Sequence, residues 1–511
     1  MDLQTHFTSR QIKLSTLLKE FILYLLAFFL IFSTSWVTKN FGEVSFDQII
    51  YHLNFGAENF LESDQSLVDD FIKKAVVVPV LLSLTICLIH CYLKEIIAVF
   101  NQTKSLLLKV VTNRRGFALL SVNRLPLTLL VFSIGFVGYQ YSFITYLKDW
   151  LSNDGNDFYT KNYIDPGTVN IHINQPKNLI LIYVEALENT YENQDLFRLN
   201  LIEHIQPAAV GGVSFSGQRQ LPGTGWTMAG ITATQCGIPL KTALGGDHDE
   251  GKHKVLEKLK DFLPNTTCLG DILKKNNYTN VFMGGASLKY AGKGLFFSSH
   301  GYEELYGREE ILAAYHHKIP TNPWGIYDDD LFAFASQRVD TLIKQNKPFN
   351  LTLLTVDTHL PKGHLSKTCK DRGVAEFKGI VKCTSEMISA FIFNLEKKGY
   401  LDNTTVIVMG DHLAMMNPEF KKLLKVKHRY IFNNYIIKNN MLKKNREDFI
   451  HFDHFPTILD SIGLQVEGGK LGLGTSGFYD GKLPNLSDRF NQYNKNIMRS
   501  SKKYQEFWQN N

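Results

Sequence analysis

Asn178-Leu179-Ile180-Leu181-Ile182-Tyr183-Val184-Glu185 is an unbroken apolar run that ends in a carboxylate. A run of this length and composition reads as a strand buried on both faces. Similar runs recur at 279–283, 349–357 and 404–411, with a further candidate at 430–437. Helical stretches at 255–262, 329–344, 385–398 and 452–462 lie among them. Strands alternating with helices predict an α/β domain, a mostly parallel sheet covered on both faces. Strand order cannot be read at this level.

In such sheets the ligand site lies off the carboxyl ends of the strands. Glu185 ends the first run, Asp357-Thr358-His359 follows a later one, and Asp411-His412 ends another. Between them, Pro222-Gly223-Thr224-Gly225-Trp226-Thr227-Met228-Ala229-Gly230 is a glycine-rich turn, a hydroxyl and a helix start. A hydroxyl in the first turn of a helix sits among unpaired N–H groups, which favours anions and a lowered pKa. Thr227 is therefore a candidate nucleophile. With Glu185, Asp411 and His412 it makes a mixed oxygen and nitrogen set suited to zinc or manganese. Each residue alone has a structural alternative, a helix cap for Thr227 and a strand-end carboxylate for Glu185.

At 511 residues the chain is too long for one ordinary domain. A net charge of +6 gives no reason to invoke nucleic acid. Apolar runs at 21–38, 75–93 and 125–147 each approach the ~20 residues that cross a bilayer. The expected organisation is a transmembrane region over 1–148, an irregular linker over 149–175, a catalytic domain over 176–481 and a basic, partly solvated tail over 482–511. Lysines and arginines precede the first run and fill the loop after the second, whereas acidic residues lie between the two. The positive-inside rule then puts everything after about residue 148 outside. Cys236, Cys268, Cys369 and Cys383 belong to that outer region and can pair in three ways. The shortest loops join Cys236 with Cys268 and Cys369 with Cys383; separate buried thiols are the alternative.

Tyr183-Val184-Glu185-Ala186, Gly225-Trp226-Thr227, Thr358-His359 and Gly410-Asp411-His412, in this order behind membrane spans, resemble the membrane-anchored transferases of the alkaline phosphatase and sulfatase superfamily. The stretch from Gly223 to Gly230, followed by Gln235-Cys236-Gly237-Ile238-Pro239-Leu240, is most similar to its phosphoglycerol transferase I-like members. The lipoteichoic acid synthases are more distant.

The resemblance implies an α/β/α sandwich, a nucleophilic Thr227 that is also a metal ligand, and one divalent metal, manganese or zinc, completed by Glu185, Asp411 and His412. His359 would bind the phosphoryl group or protonate the leaving alcohol. In Gly285-Ala286-Ser287-Leu288-Lys289-Tyr290-Ala291-Gly292-Lys293-Gly294, either Lys293 or Lys289 would hold a phosphate oxygen. Lipoteichoic acid synthases use arginine there, so lysine exchanges a two-pronged contact for a point charge. His300 and Trp324 would line the pocket. The implied activity is transfer of phosphoglycerol from a phospholipid to a periplasmic glycan through a phosphothreonine, at the bacterial inner membrane with the catalytic domain in the periplasm. The alternatives are phosphoethanolamine transfer to lipopolysaccharide core or lipid A, phosphodiester hydrolysis, and a non-catalytic envelope module. Phosphoethanolamine transferases usually carry Asn-Thr-x-Thr, where this chain has Gly-Trp-Thr. The active stretch lacks Cys/Ser-x-Pro-x-Arg, which argues against sulfate ester hydrolysis.

Overall fold

The computed structural model describes residues 14–54, 65–107, 115–152, 157–242, 260–359, 361–438, 442–481 and 486–509. The chain forms two compact units, one of Met1–Ser45 and Ser66–Ile144, the other of Phe46–Gln65 and Thr145–Asn511. In chain order the N-terminal helices are α1 (Leu14–Phe41), α2 (Phe46–Asn54), α3 (Val78–Leu107), α4 (Arg115–Gln140) and α5 (Phe143–Leu151).

In the first unit, Leu17–Phe41 and Ser66–His90 are long and apolar enough to cross a membrane. Two polar pairs link them: Tyr24 Oη lies 3.0 Å from His90 Nδ1, and Trp36 Nε1 donates to Asp70 at 2.9 Å. The single crossing expected at 125–147 differs from what is seen. Arg124–Gln140 and Phe143–Leu151 are bent by 68° from one another and count as a third span only if taken together. Ser142, with φ of 55°, breaks the helix there.

The second unit is built on a six-stranded sheet of β1 (Asn178–Val184), β2 (Thr279–Gly284), β3 (Glu304–Tyr306), β4 (Phe349–Leu354), β5 (Thr404–Gly410) and β6 (Asn433–Ile436). The order is β3-β2-β4-β1-β5-β6, all parallel except β6, which pairs antiparallel with β5. Leu179, Leu181 and Tyr183 enter one core and Ile180, Ile182 and Val184 the other, so β1 is buried on both faces. On the first face lie α6 (Thr227–Cys236) and, later in the chain, His454–Ser461; on the second lie α7 (Asp328–Lys344) and α8 (Phe377–Lys397). The edge strand at 430–437 is shorter than expected, and the helix expected from 385 starts eight residues earlier, at Phe377. Of the helix expected at 255–262, residues 255–259 lie outside the described residues. The disulfides join Cys236 with Cys268 and Cys369 with Cys383.

The described residues of the linker and of the tail pack into this unit, which corrects the reading of 482–511 as a partly solvated extension. Ile171–Ile173 pairs with Leu464–Val466. The tail carries α9 (Leu486–Asn496) and α10 (Lys502–Glu506), and buries Tyr493, Ile497, Tyr504 and Phe507. Apolar residues spaced as Phe490, Tyr493 and Ile497 mark a helix face, and the basic residues around them obscured it. Arg489 donates to both oxygens of fully buried Asp453, and Tyr159 Oη donates to the Ile497 carbonyl at 2.6 Å.

Lys241 also ties the tail down, its Nζ donating to the Ile497 and Arg499 carbonyls at 3.1 and 2.7 Å. Burial pushes this amine down to about 7, against the pull of Asp47, Asp157 and Asp149. Between that value and the ordinary lysine pKa the unfolded chain binds more protons, so the Lys241 contribution to stability rises with pH. The stability of wild type relative to Lys241→Met is therefore expected to rise by about 2 kcal/mol from pH 7 to 9. Thermal melting of the detergent-solubilised chains at both pH values measures it; a constant gap would contradict a buried, neutralising amine.

Candidate active site

The carboxyl ends of β1 and β5 meet side by side, because Val184 is in register with Gly410. Each strand is followed at once by a functional side chain, Glu185 on one and Asp411-His412 on the other. Ala186 turns left-handed, with φ of 55°, and its N–H donates to Asp411 Oδ1 at 2.8 Å. The His412 N–H donates to the same oxygen at 3.0 Å. One Asp411 oxygen is thus held by two amides and the other is left to face the cluster.

His412 is oriented in a similar way. Its Nδ1 lies 2.9 Å from the Leu413 carbonyl, which requires the proton on Nδ1 and leaves a lone pair on Nε2. That Nε2 is 3.5 Å from Glu185 Oε1 and 3.4 Å from Asp411 Oδ2. Glu185 Oε1, Asp411 Oδ2 and His412 Nε2 are all buried and have no hydrogen-bond partner. Two carboxylates and an imidazole converging without partners are costly unless a cation joins them. Burial, then the neighbouring Asp411, pushes the Glu185 carboxyl well above the usual range. The three ligand atoms lie within 4.8 Å of one another, and the donor set fits a divalent metal such as zinc or manganese.

Thr227 opens α6, after Trp226 in extended conformation, and its Oγ1 donates to Glu185 Oε2 at 3.3 Å. The hydroxyl therefore stands where the unpaired N–H groups of the helix gather, against the same carboxylate. Lys293 is buried, and Glu185 and Asp411 pull against the desolvation that lowers its amine to about 8. Lys289, four residues earlier, is exposed.

His359 packs against Trp324 with the rings tilted by 45° and their centroids 4.1 Å apart, and Trp324 meets Tyr290 at 5.0 Å. Asp328 holds the backbone leading to His359, accepting from the N–H groups of Val356 and Asp357 at 2.8 and 3.2 Å. His300 lies elsewhere: its Nδ1 is 2.9 Å from Asp271 and it clusters with the Cys236–Cys268 disulfide. Cys236 ends the helix that Thr227 begins, roughly 14 Å away at helical rise. The structure thus groups Glu185, Thr227, Asp411 and His412, sets Lys293 within their electrostatic reach, and leaves His300 and Lys289 out of that group.

Residues 177–464, more than half of the chain, match the sulfatase family. The chain belongs to the sulfatase family. This sulfatase-family chain is 36% identical over 348 residues to phosphoglycerol transferase I of Escherichia coli O6:K15:H31 (strain 536), a stretch covering 65% of the chain and 43% of that relative. It thus spans under half the length of the curated relatives it matches. Among solved structures it resembles an alkaline phosphatase superfamily protein from Vibrio parahaemolyticus, at TM-score 0.45 and 23% identity over 59% of this chain and 72% of that one. It also resembles the lipoteichoic acid synthase LtaP from Listeria monocytogenes, at TM-score 0.47 and 15% identity over 66% and 95%.

Sequence reading overlooked two groups. Fully buried Glu188 pairs with Arg429 and accepts from the Ala414 N–H at 3.0 Å, bracing the loop after His412. Tyr51 and His52 of α2 lie against Trp226, at ring separations of 4.7 and 4.9 Å. No local signal connects residues some 175 positions apart in sequence.

Proposed function

We propose that the chain is a metal-dependent transferase that moves phosphoglycerol from a phospholipid to a periplasmic glycan through a phosphothreonine at Thr227. The observation that carries this reading is the set of three unpartnered ligand atoms on Glu185, Asp411 and His412 beside the Thr227 hydroxyl. The identity to a phosphoglycerol transferase I and the two membrane-capable helices support it. Basic residues flanking those helices favour an outward catalytic unit in a multi-pass inner-membrane protein.

Manganese or zinc held by Glu185, Asp411, His412 and Thr227 would lower the hydroxyl pKa and offset charge on the phosphoryl oxygens. Thr227 Oγ1 attacks phosphorus, and its proton has an acceptor in Glu185 Oε2 at 3.3 Å. The new Oγ1–P bond forms as the bond from phosphorus to the diacylglycerol oxygen breaks, and that oxygen takes a proton, for which His359 is the donor we assign. Lys293 holds an equatorial phosphoryl oxygen. The glycan hydroxyl then attacks phosphorus, passing its proton to His359 as the Oγ1–P bond breaks, and Thr227 recovers its proton from Glu185.

Mass spectrometry of the full chain after mixing with manganese or zinc and phosphatidylglycerol is expected to find a glycerophosphate adduct on Thr227. An adduct from phosphatidylethanolamine alone would move the donor to phosphoethanolamine. Free glycerol phosphate with no labelled glycan would make the protein a hydrolase. A folded, metal-loaded chain that forms no adduct would favour the non-catalytic module.

A further inference from the structure

We infer that α2, which lies outside the stretch matching the sulfatase family, belongs to the catalytic machinery, with Tyr51 as a positioning residue for both the Lys293 turn and the Trp226–Thr227 junction. The inference rests on the transferase reading above.

Tyr51 is buried to 1% exposure, and its hydroxyl donates to the Ala291 carbonyl at 3.0 Å. Ala291 is left-handed, with φ 54° and ψ 28°, and Gly292 follows at φ 73°. Two successive left-handed residues reverse the chain so that Lys293 starts the next helix, Lys293–Ser299, with its side chain buried. A residue with a Cβ holds that conformation only where its surroundings over-determine it. Within the loop, the Gly294 N–H donates to the Leu288 carbonyl at 2.7 Å. The Tyr51 bond is a restraint from 240 residues away in sequence.

The other side of the same ring faces the nucleophile. Tyr51 and Trp226 meet edge to face at 4.7 Å, and His52 lies 4.9 Å from Trp226 and 6.3 Å from Tyr290. Trp226 immediately precedes Thr227, so one α2 side chain touches the elements that present the nucleophile and the lysine. The helix is itself fixed to this unit: the Asp47 carboxylate accepts from the Thr242 N–H at 3.0 Å and from its hydroxyl at 2.5 Å. With Tyr290, Trp324 and His359 these rings form one aromatic row from α2 to the loop after β4.

The test follows the rate of Thr227 adduct formation by the full chain in mixed micelles of phosphatidylglycerol with manganese. Tyr51→Phe keeps the ring and removes the bond to Ala291. It is expected to slow adduct formation roughly 10-fold with KM and metal content near wild type, and Tyr51→Ala roughly 100-fold. In a Lys293→Ala background Tyr51→Phe is expected to have little further effect, a non-additivity that a merely structural role would not produce. Tyr51→Phe at the wild-type rate, or full additivity with Lys293→Ala, would overturn the role of α2 alone. A wild-type chain that forms no adduct would instead remove the transferase reading, and this inference with it.

Discussion

Thr227→Ala is expected to lower headgroup transfer by at least about 10³-fold while the chain stays folded. The size follows from the role: among the described residues Thr227 is the hydroxyl on the Glu185 carboxylate, Thr355 and Thr358 reaching only the Glu185 backbone, so alanine leaves nothing placed to form the covalent bond. The structural cost is small by comparison. Thr227 makes no side-chain cap to its helix, because Trp226 is the residue at the cap position, and what is lost is one 3.3 Å bond to a carboxylate. That is worth about 1 kcal/mol. Thr227→Ser separates chemistry from packing, since it keeps the hydroxyl and drops only a methyl group; turnover within about tenfold of wild type is expected. Circular dichroism and metal content serve as controls. Alanine with wild-type turnover would remove Thr227 as nucleophile, whereas loss in both alanine and serine would point to a packing role for the methyl group.

How far the sequence carries is visible residue by residue. β1, β2, β4 and β5 are legible because a strand covered on both faces is mostly apolar: Leu179 to Val184 are so throughout, and the other three carry only a few buried polar residues, Asn280, Asn350, Thr352 and Thr405 among them. β3, three residues with Glu304 at its start, has no such signature, and β6 could be placed but not oriented. Glu185, Asp411 and His412 were legible because parallel topology forces strand ends to one edge, so polar residues there acquire a common address. His300 misled for the opposite reason. A histidine far along the chain carries no sign of whether it turns toward the site or, as here, toward Asp271 and a disulfide. Tyr51 could not be found at all, since its value depends on Ala291 being left-handed, a backbone property with no side-chain signature.

Gly230→Ala is expected to cut turnover by about 100-fold or more and to reduce bound metal, although helix propensity alone predicts the reverse. In an exposed helix alanine stabilises by about 1 kcal/mol over glycine. Here a Cβ on residue 230 would stand 2.0 Å from the Asp411 carbonyl oxygen, a backbone atom with no rotamer to escape into. That carbonyl is also pinned from elsewhere. His451 is held neutral, with burial lowering it to about 4, and its Nε2 donates to the Asp411 oxygen at 3.0 Å. Relief therefore requires α6 and the end of β5 to separate by about 1 Å, the difference between the clash and the closest contact that real Cβ atoms make. Thr227 is three residues away on α6 and the Asp411 carboxylate is on the residue that is struck, so the separation pulls the nucleophile away from the metal ligands. A displacement of about that size costs roughly 100-fold in rate. Metal analysis beside single-turnover rates checks the cause: a variant that melts like wild type but has lost metal and rate together identifies the approach of α6 to β5 as what assembles the site. Unchanged metal and rate would mean that the two elements can part without consequence, and that Gly230 serves packing only.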